Sequence, residues 1–378
     1  MLGVNYALFS LGVCCMAILN TQDINSVLSE FTDPWHGQDL VSAKQVEAVE
    51  ITDKKVSVEL KLGYPAVQAG KELANDVESA LQARFPENSF VVSATTEIIS
   101  HSVQKNLTPL PEVKNIIAVA SGKGGVGKST TSVNLALALA AEGATVGVLD
   151  ADIYGPSIPR MMGASGKPES EDGKSVEPMV SHGIQFISIG LLIDEETPMV
   201  WRGPMVTQAL EQLLRHTHWQ GLDYLIIDLP PGTGDIQLIL AQKIPVSGAV
   251  IVTTPQDISL LDALKGLKMF EKVEVPVLGV IENMSTHICS SCGHEEHIFG
   301  AGGGARMAED NEVEFLGSLP LDISIREQAD SGAPTVIHEP AGKIANMYKE
   351  IAIKTAAKLA IEAQDFSHHF PNIVIKND

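Results

Sequence analysis

The hydrophobic positions change rhythm part-way along the chain. From Thr21 to His101 the patterns are short and mixed. Asp23 to Phe31 carries apolar residues at helical spacing, and Ala48 to Leu62 alternates as paired strands do. Ala69 to Arg84 is helical again, with Lys71, Glu72 and Asp76 on its wet face, and Phe90 to Ile99 reads as another strand. Together these predict a small α+β domain over residues 21–105. Residues 106–114 are polar and hold Pro109 and Pro111, which marks a linker. From Asn115 onward, apolar runs of strand length alternate with amphipathic stretches. Strands are predicted at Ile116–Ala120, Thr145–Asp150, Ile184–Ile189, Tyr224–Asp228, Ala249–Thr253, Val277–Ile281 and Phe315–Leu319. Helices fill most intervals, including Lys128–Ala141, and Ile344–Ala363 closes the unit. This is the pattern of an α/β domain over residues 115–378, a mostly parallel sheet with helices on both faces. Such sheets bind ligands at the carboxyl ends of their strands.

The chemistry-bearing residues fall at those ends. Gly122-Lys123-Gly124-Gly125-Val126-Gly127-Lys128-Ser129-Thr130 joins the first strand of the large domain to its first helix. The spacing of its glycines and of Lys128-Ser129 is that of a phosphate-binding P-loop, whose amides point inward at phosphate oxygens. Lys128 brings a cation to the β- and γ-phosphates, and the Ser129 hydroxyl completes a Mg²⁺ shell. Lys123 is a second cation that an ordinary loop of this kind does not need. It is either a solvated lysine or one that reaches a phosphate across a dimer interface, as an arginine finger does. After the next strand, Asp150 and Asp152 share one side of an extended segment, where a carboxylate can hold a metal-bound water or orient an attacking one. Leu225 to Asp228 is an apolar strand ending in a carboxylate, a place for Asp228 beside Mg²⁺, and Leu229 to Asp235 follows as a loop with two prolines and two glycines. Asn283 ends the strand that begins at Val277.

His287-Ile288-Cys289-Ser290-Ser291-Cys292-Gly293-His294-Glu295-Glu296-His297 is the other chemical signal. A Cys-x-x-Cys turn aims two thiolates at one point, yet a structural Zn²⁺ or a [4Fe–4S] cluster takes four ligands. Two copies of the chain could each give a pair to one bridging cluster. Alternatively His287, His294 or His297 could complete an intramolecular zinc site, the pair could be a redox dithiol, or it could be inert.

Composition narrows the partners. With 26 basic against 47 acidic residues the formal net charge is −21, which argues against nucleic acid or an anionic membrane as partner. Four cysteines, paired as Cys14-Cys15 and Cys289/Cys292, make no secretory disulfide framework, so the expected compartment is the cytoplasm. Residues 1–20 are uncharged, mostly apolar and nearly long enough to span a bilayer. No basic residue precedes Lys44, so a signal peptide or oriented anchor lacks its cationic flank. An extra apolar helix, or a start assigned too early, is the preferred reading, with Cys14 and Cys15 as small apolar residues.

The P-loop with its Lys123 resembles the deviant Walker A ATPases. Asp228-Leu229-Pro230-Pro231-Gly232-Thr233-Gly234-Asp235, Trp201-Arg202-Gly203-Pro204-Met205 and Ile298-Phe299-Gly300-Ala301-Gly302-Gly303-Gly304 resemble the Mrp/ApbC branch of iron–sulfur cluster carriers. The likeness runs from Ile116 to Ala363, with Ser290 departing from the proline of many relatives. Asp33-Pro34-Trp35-His36 to Val41 resembles the start of the small α+β domain of cytosolic iron–sulfur assembly factors. The resemblance implies a slow ATPase acting as a homodimer, with Lys123, Lys128 and Asp152 as catalytic residues, Asp152 positioning the water. It implies Asn283 against the adenine, and a labile cluster held by Cys289 and Cys292 of two copies. The implied partners are recipient apoproteins and assembly scaffolds. A partition-type ATPase shares the loop and Lys123 but needs a basic patch or cationic tail, which residues 365–378 do not supply. A structural zinc protein would have no use for Asp152 and Asp228.

Overall fold

The structure is a computed structural model that describes residues 19–101, 103–104, 107–170, 172–192, 203–289 and 291–367. The apolar extension over residues 1–18, the Trp201-Arg202 pair, Ser290 and the tail from residue 368 lie outside the described residues.

The small domain opens with α1 (Thr21–Glu30), which Asn20 and Asp23 close with a reciprocal capping box. It continues through β1 (Val46–Thr52), β2 (Lys55–Leu62), α2 (Ala69–Arg84) and β3 (Ser89–Thr96). β1 and β2 form a hairpin, and β3 lies parallel to β2 after the crossover through α2. The alternation in β2 buries Val56, Val58, Leu60 and Leu62 under the two helices.

The large domain begins with β4 (Val113–Ala120), α3 (Lys128–Ala141), β5 (Val146–Asp150), α4 (Ile158–Met161), β6 (Met179–Ser181) and β7 (Ile184–Ser188). It proceeds through α5 (Gly203–His216), β8 (Leu222–Asp228), α6 (Asp235–Lys243), β9 (Gly248–Thr253), α7 (Asp257–Lys272) and β10 (Val277–Glu282). A two-stranded ribbon, β11 (His287–Ile288) with β12 (Glu295–Glu296), precedes α8 (Gly303–Asp310) and β13 (Phe315–Ser318). The last helices are α9 (Ile323–Asp330), α10 (Thr335–His338) and α11 (Lys343–Ser367). Among the described residues, eight strands form one sheet in the order β13-β10-β9-β4-β8-β5-β7-β6. It is parallel except for β6, which runs antiparallel at the edge. The expected mostly parallel α/β fold, with a small α+β domain ahead of it, is what the chain adopts.

Two apolar layers explain the continuous hydrophobic runs. Ile117, Val119, Tyr224, Ile226, Val250 and Val252 face α3, α11 and the small domain. Their neighbours Ile116, Ala118, Leu225, Ile227, Ala249 and Ile251 face the opposite layer, which includes α5 and α7. A strand buried on both faces has no polar alternation to show. The small domain shares the first of these cores. Gly63 sits so close to α11 that a side-chain Cβ there would lie 3.0 Å from that of Ala360. At the same junction His101 is buried, within hydrogen-bonding distance of Asn115 (2.5 Å) and of the Leu359 carbonyl (2.8 Å).

Candidate functional site

The central strands β4, β5 and β8 end side by side, and their trailing residues form one pocket. The loop from Gly122 leads into α3, whose first residue is Lys128, so the helix's unpaired amides face the loop's hollow. Two glycines are required sterically. A Cβ on Gly122 would lie 2.1 Å from the Asp262 carbonyl carbon in α7. On Gly127, where φ is +81°, it would lie 2.2 Å from the Asn283 amide nitrogen.

Lys128, 5% exposed, places Nζ 2.8 Å from Asp228 Oδ1 and 3.9 Å from Asp152 Oδ2. Ser129 Oγ donates to Asp228 Oδ2 (2.6 Å), and Ser132 Oγ donates to its other oxygen (2.7 Å). Asp150 is fully buried and accepts from Ser188 Oγ (2.9 Å) and from the backbone of Asp152 and Ile158. Burial and the neighbouring Asp228 charge push the Asp150 carboxyl up, to about 7. Burial also raises Asp152, against the pull of Lys128. Two carboxylates, Asp152 and Asp228, thus flank one buried lysine beside a cleft of about 220 Å³ that Lys123, Gly124, Lys128, Asp152 and Pro231 help to line. Among the described residues Lys123 makes no ion pair.

The Ser129 hydroxyl and Asp228 carboxylate are a hard oxygen pair, a donor set that suits Mg²⁺ better than a softer ion. Asn283 is buried, donating through Nδ2 to the Val126 carbonyl (2.8 Å) and accepting from Met284 N–H (2.9 Å). It lines a second cleft, of about 260 Å³, together with Asp322 and Arg326. Gly127, Thr130 and Met161 border both clefts, so the two adjoin. Every residue of the predicted nucleotide set thus lies on or beside these clefts. Ser132, Asp322 and Arg326 were missed. Ser132 was within reach of the sequence, one helical turn beyond Ser129 on the same face; Asp322 announces itself only as the N-cap of α9.

Cys289 and Cys292 lie on the turn of the β11–β12 ribbon, the first half-buried and the second exposed. The turn closes through Cys289 N–H to His294 O (2.9 Å) and Gly293 N–H to Cys289 O (2.8 Å). Backbone amides of Ser291 and then Cys292 point at the Cys289 sulfur and hold its thiol below the usual range, with help from the Cys292 side chain and from His287. The three histidines are employed otherwise. His287 Nδ1 donates to Leu321 O (3.0 Å), His297 Nδ1 donates to Ser285 O (2.9 Å), and His294 lies 3.9 Å from Glu296. Among the described residues no group of three or more His, Cys, Asp or Glu is gathered as metal ligands.

Comparison with known proteins agrees with this chemistry. A family described as NUBPL iron-transfer P-loop NTPase matches residues 112–356. A family described as iron-sulfur cluster assembly protein matches residues 21–96. The chain is 51% identical over 337 residues to the iron-sulfur cluster carrier protein of Escherichia coli (strain K12), covering 89% of this chain and 91% of that one. It is 48% identical over 299 residues to the iron-sulfur cluster transfer protein NUBPL of Mus musculus, covering 79% and 90%. A solved nucleotide-binding protein from Archaeoglobus fulgidus, in complex with ADP, shares 37% identity at a TM-score of 0.54, covering 61% of this chain and 90% of that one.

Proposed function

The chain belongs to the NUBPL iron-transfer P-loop NTPase family, and we propose that it is a cytoplasmic ATPase that carries an iron–sulfur cluster between two of its copies and hands it to apoproteins. The observation that carries this reading is the pairing of a complete phosphate site with an exposed dithiol that is short of ligands. Lys128, Ser129, Asp152 and Asp228 meet within hydrogen-bond or ion-pair reach of one another. The ribbon nearby offers two thiols, so a second copy supplies the other two ligands of a [4Fe–4S] cluster.

In hydrolysis a water attacks the γ-phosphorus, the bond to the β–γ bridging oxygen breaks, and ADP leaves with inorganic phosphate. Asp152 accepts a hydrogen bond from that water and orients it. Lys128 and the loop amides offset the charge that spreads over the phosphoryl oxygens. Lys123 lines the cleft, and among the described residues no carboxylate holds it, which suits a reach to phosphate across the dimer. Ser129, with Asp228 beside it, would hold a magnesium ion, which would neutralise charge on the phosphates. Asn283 borders the second cleft, whose position beside the phosphate loop supports it as the place for the adenine.

The cluster is cargo. Recipient thiolates replace Cys289 and Cys292 at iron, a ligand exchange that leaves the oxidation state unchanged. Lowering of the Cys289 thiol favours the thiolate that binds iron. Exposed, two-per-copy ligation favours release. Donor scaffolds and acceptor apoproteins are the partners. Anaerobic reconstitution with iron and sulfide tests the reading, with about one four-iron cluster per dimer as the expected result. Zinc at one equivalent per chain, with no iron chromophore, would overturn it.

A further inference from the structure

Between the nucleotide clefts and the cysteine ribbon lies a strap made of two segments, residues 283–287 after β10 and residues 319–322 after β13. The parallel pairing of the two strands continues past their ends. Leu319 N–H donates to Glu282 O (2.9 Å), Ser285 N–H to Leu319 O (3.0 Å) and Leu321 N–H to Thr286 O (2.7 Å). The last rung is a side chain: His287 Nδ1–H donates to Leu321 O at 3.0 Å.

The ends of this strap face different sites. At one, Asn283 holds the P-loop carbonyl of Val126. Pro320, Leu321 and Asp322 line the second cleft across from Gly127 and Thr130. At the other, His287 opens the ribbon that bears Cys289. Pro320 also borders a third cleft, of about 290 Å³, with Glu295 and His297 of the ribbon side. Among the described residues, the side-chain hydrogen bonds that leave the ribbon end on the strap: His287 on Leu321, and His297 on Ser285. Both segments line the second cleft, the first through Asn283 and Met284 and the second through Pro320, Leu321 and Asp322; of the two ties, the His287 bond is the one that crosses from the ribbon's own segment to the other. One tie of the ribbon thus runs to residues 319–322, which line the cleft assigned above to the nucleotide.

We propose that His287 is a positioning residue, coupling occupancy of the nucleotide cleft to the exposure of Cys289 and Cys292 through its bond to the Leu321 carbonyl. This rests on the nucleotide and cluster assignments above and adds the element that links them. Coupling of this kind is reciprocal: if nucleotide alters the affinity of the cysteines for what they bind, filling the cysteines alters nucleotide affinity by the same factor.

The test uses the full-length, reduced, cluster-free protein. Iodoacetamide labelling of Cys289 and Cys292 is timed by peptide mass analysis without nucleotide, with ADP and with a non-hydrolysable ATP analogue, while calorimetry measures nucleotide affinity. In the wild type the labelling rates should differ between nucleotide states by roughly fivefold or more, the range of coupled sites. His287→Ala should bring that ratio to unity with nucleotide affinity unchanged. His287→Asn, whose amide can donate from nearly the same place, should restore it. His297→Ala, which cuts the tie that does not cross the strap, should keep it. Persistence of the ratio in His287→Ala, or no ratio in a wild type shown by calorimetry to bind nucleotide, overturns the coupling. Absence of nucleotide binding in the wild type overturns the functional reading, and the coupling with it.

Discussion

Replacing Lys128 with Ala tests the nucleotide site by two independent readouts. The Lys128 side chain is 5% exposed, with its ammonium 2.8 Å from Asp228 and 3.9 Å from Asp152. At an effective dielectric of about 20 these distances correspond to attractions of about 6 and about 4 kcal/mol, before desolvation is subtracted. Removing one partner of such a pair leaves an uncompensated buried charge and costs about 3–5 kcal/mol. Asp152 is 13% exposed and can recover some solvation, which places the estimate at the lower end. The loss should depend on pH. Burial already holds the Asp152 carboxyl above its usual value against the pull of Lys128, so without Lys128 it rises further and the folded state holds its proton more tightly. Stability then falls as pH rises from about 4 through that raised value. The deficit against wild type should be largest near pH 8 and shrink toward pH 5. ATP turnover should fall by about a hundredfold or more, because a preorganised cation at the phosphates is worth roughly 3 kcal/mol in the transition state. Urea unfolding at both pH values and a phosphate-release assay measure the two effects. Iron loading should survive, since the cysteines are separate. Unchanged turnover, or a stability deficit that grows as pH falls, would refute the argument.

Three further outcomes are expected. Mixing a Lys123→Ala copy with a Lys128→Ala copy should restore activity at about one site per mixed dimer if Lys123 reaches across the interface; confirmed mixed dimers without turnover would place Lys123 in its own subunit or outside the chemistry. Cys289→Ser and Cys292→Ser should each abolish the iron chromophore while sparing much of the ATPase, whereas His294→Ala should leave iron content intact, read by absorption and metal analysis. His101, its imidazole lowered by burial at the domain junction, binds a proton less readily folded than unfolded. Its contribution to stability is therefore present above about pH 6.5 and lost as pH falls through that value toward the folded one. A melting-temperature series from pH 8 to pH 5 should show that loss in the wild type and a weaker one in His101→Gln; parallel profiles would exclude it.

What the chain disclosed about itself follows from the range of the interactions involved. The P-loop, the helix Lys128–Ala141 and the carboxylates Asp152 and Asp228 are local patterns, and the strands of a doubly covered sheet appear as unbroken apolar runs because both faces are buried. β6 escaped because three residues are too few for a period, and its pairing with β7 depends on a tight turn at His182 and Gly183, both with positive φ. β11 and β12, two residues each, carry no periodic signal either; their pairing comes from the backbone bonds that fold the cysteine turn. The second cleft was illegible for a different reason. Asn283 and Arg326 are 43 positions apart and meet only because β13 pairs with β10, so no window of sequence contains the site. The same pairing sets the strap geometry: the register that joins Glu282 to Ser318 fixes which carbonyl stands opposite His287. A one-residue slip there would present the opposite face of the backbone and move the cysteine turn relative to the phosphates. The sheet register thus governs the spacing between the two sites, although each site's own residues are contributed by loops.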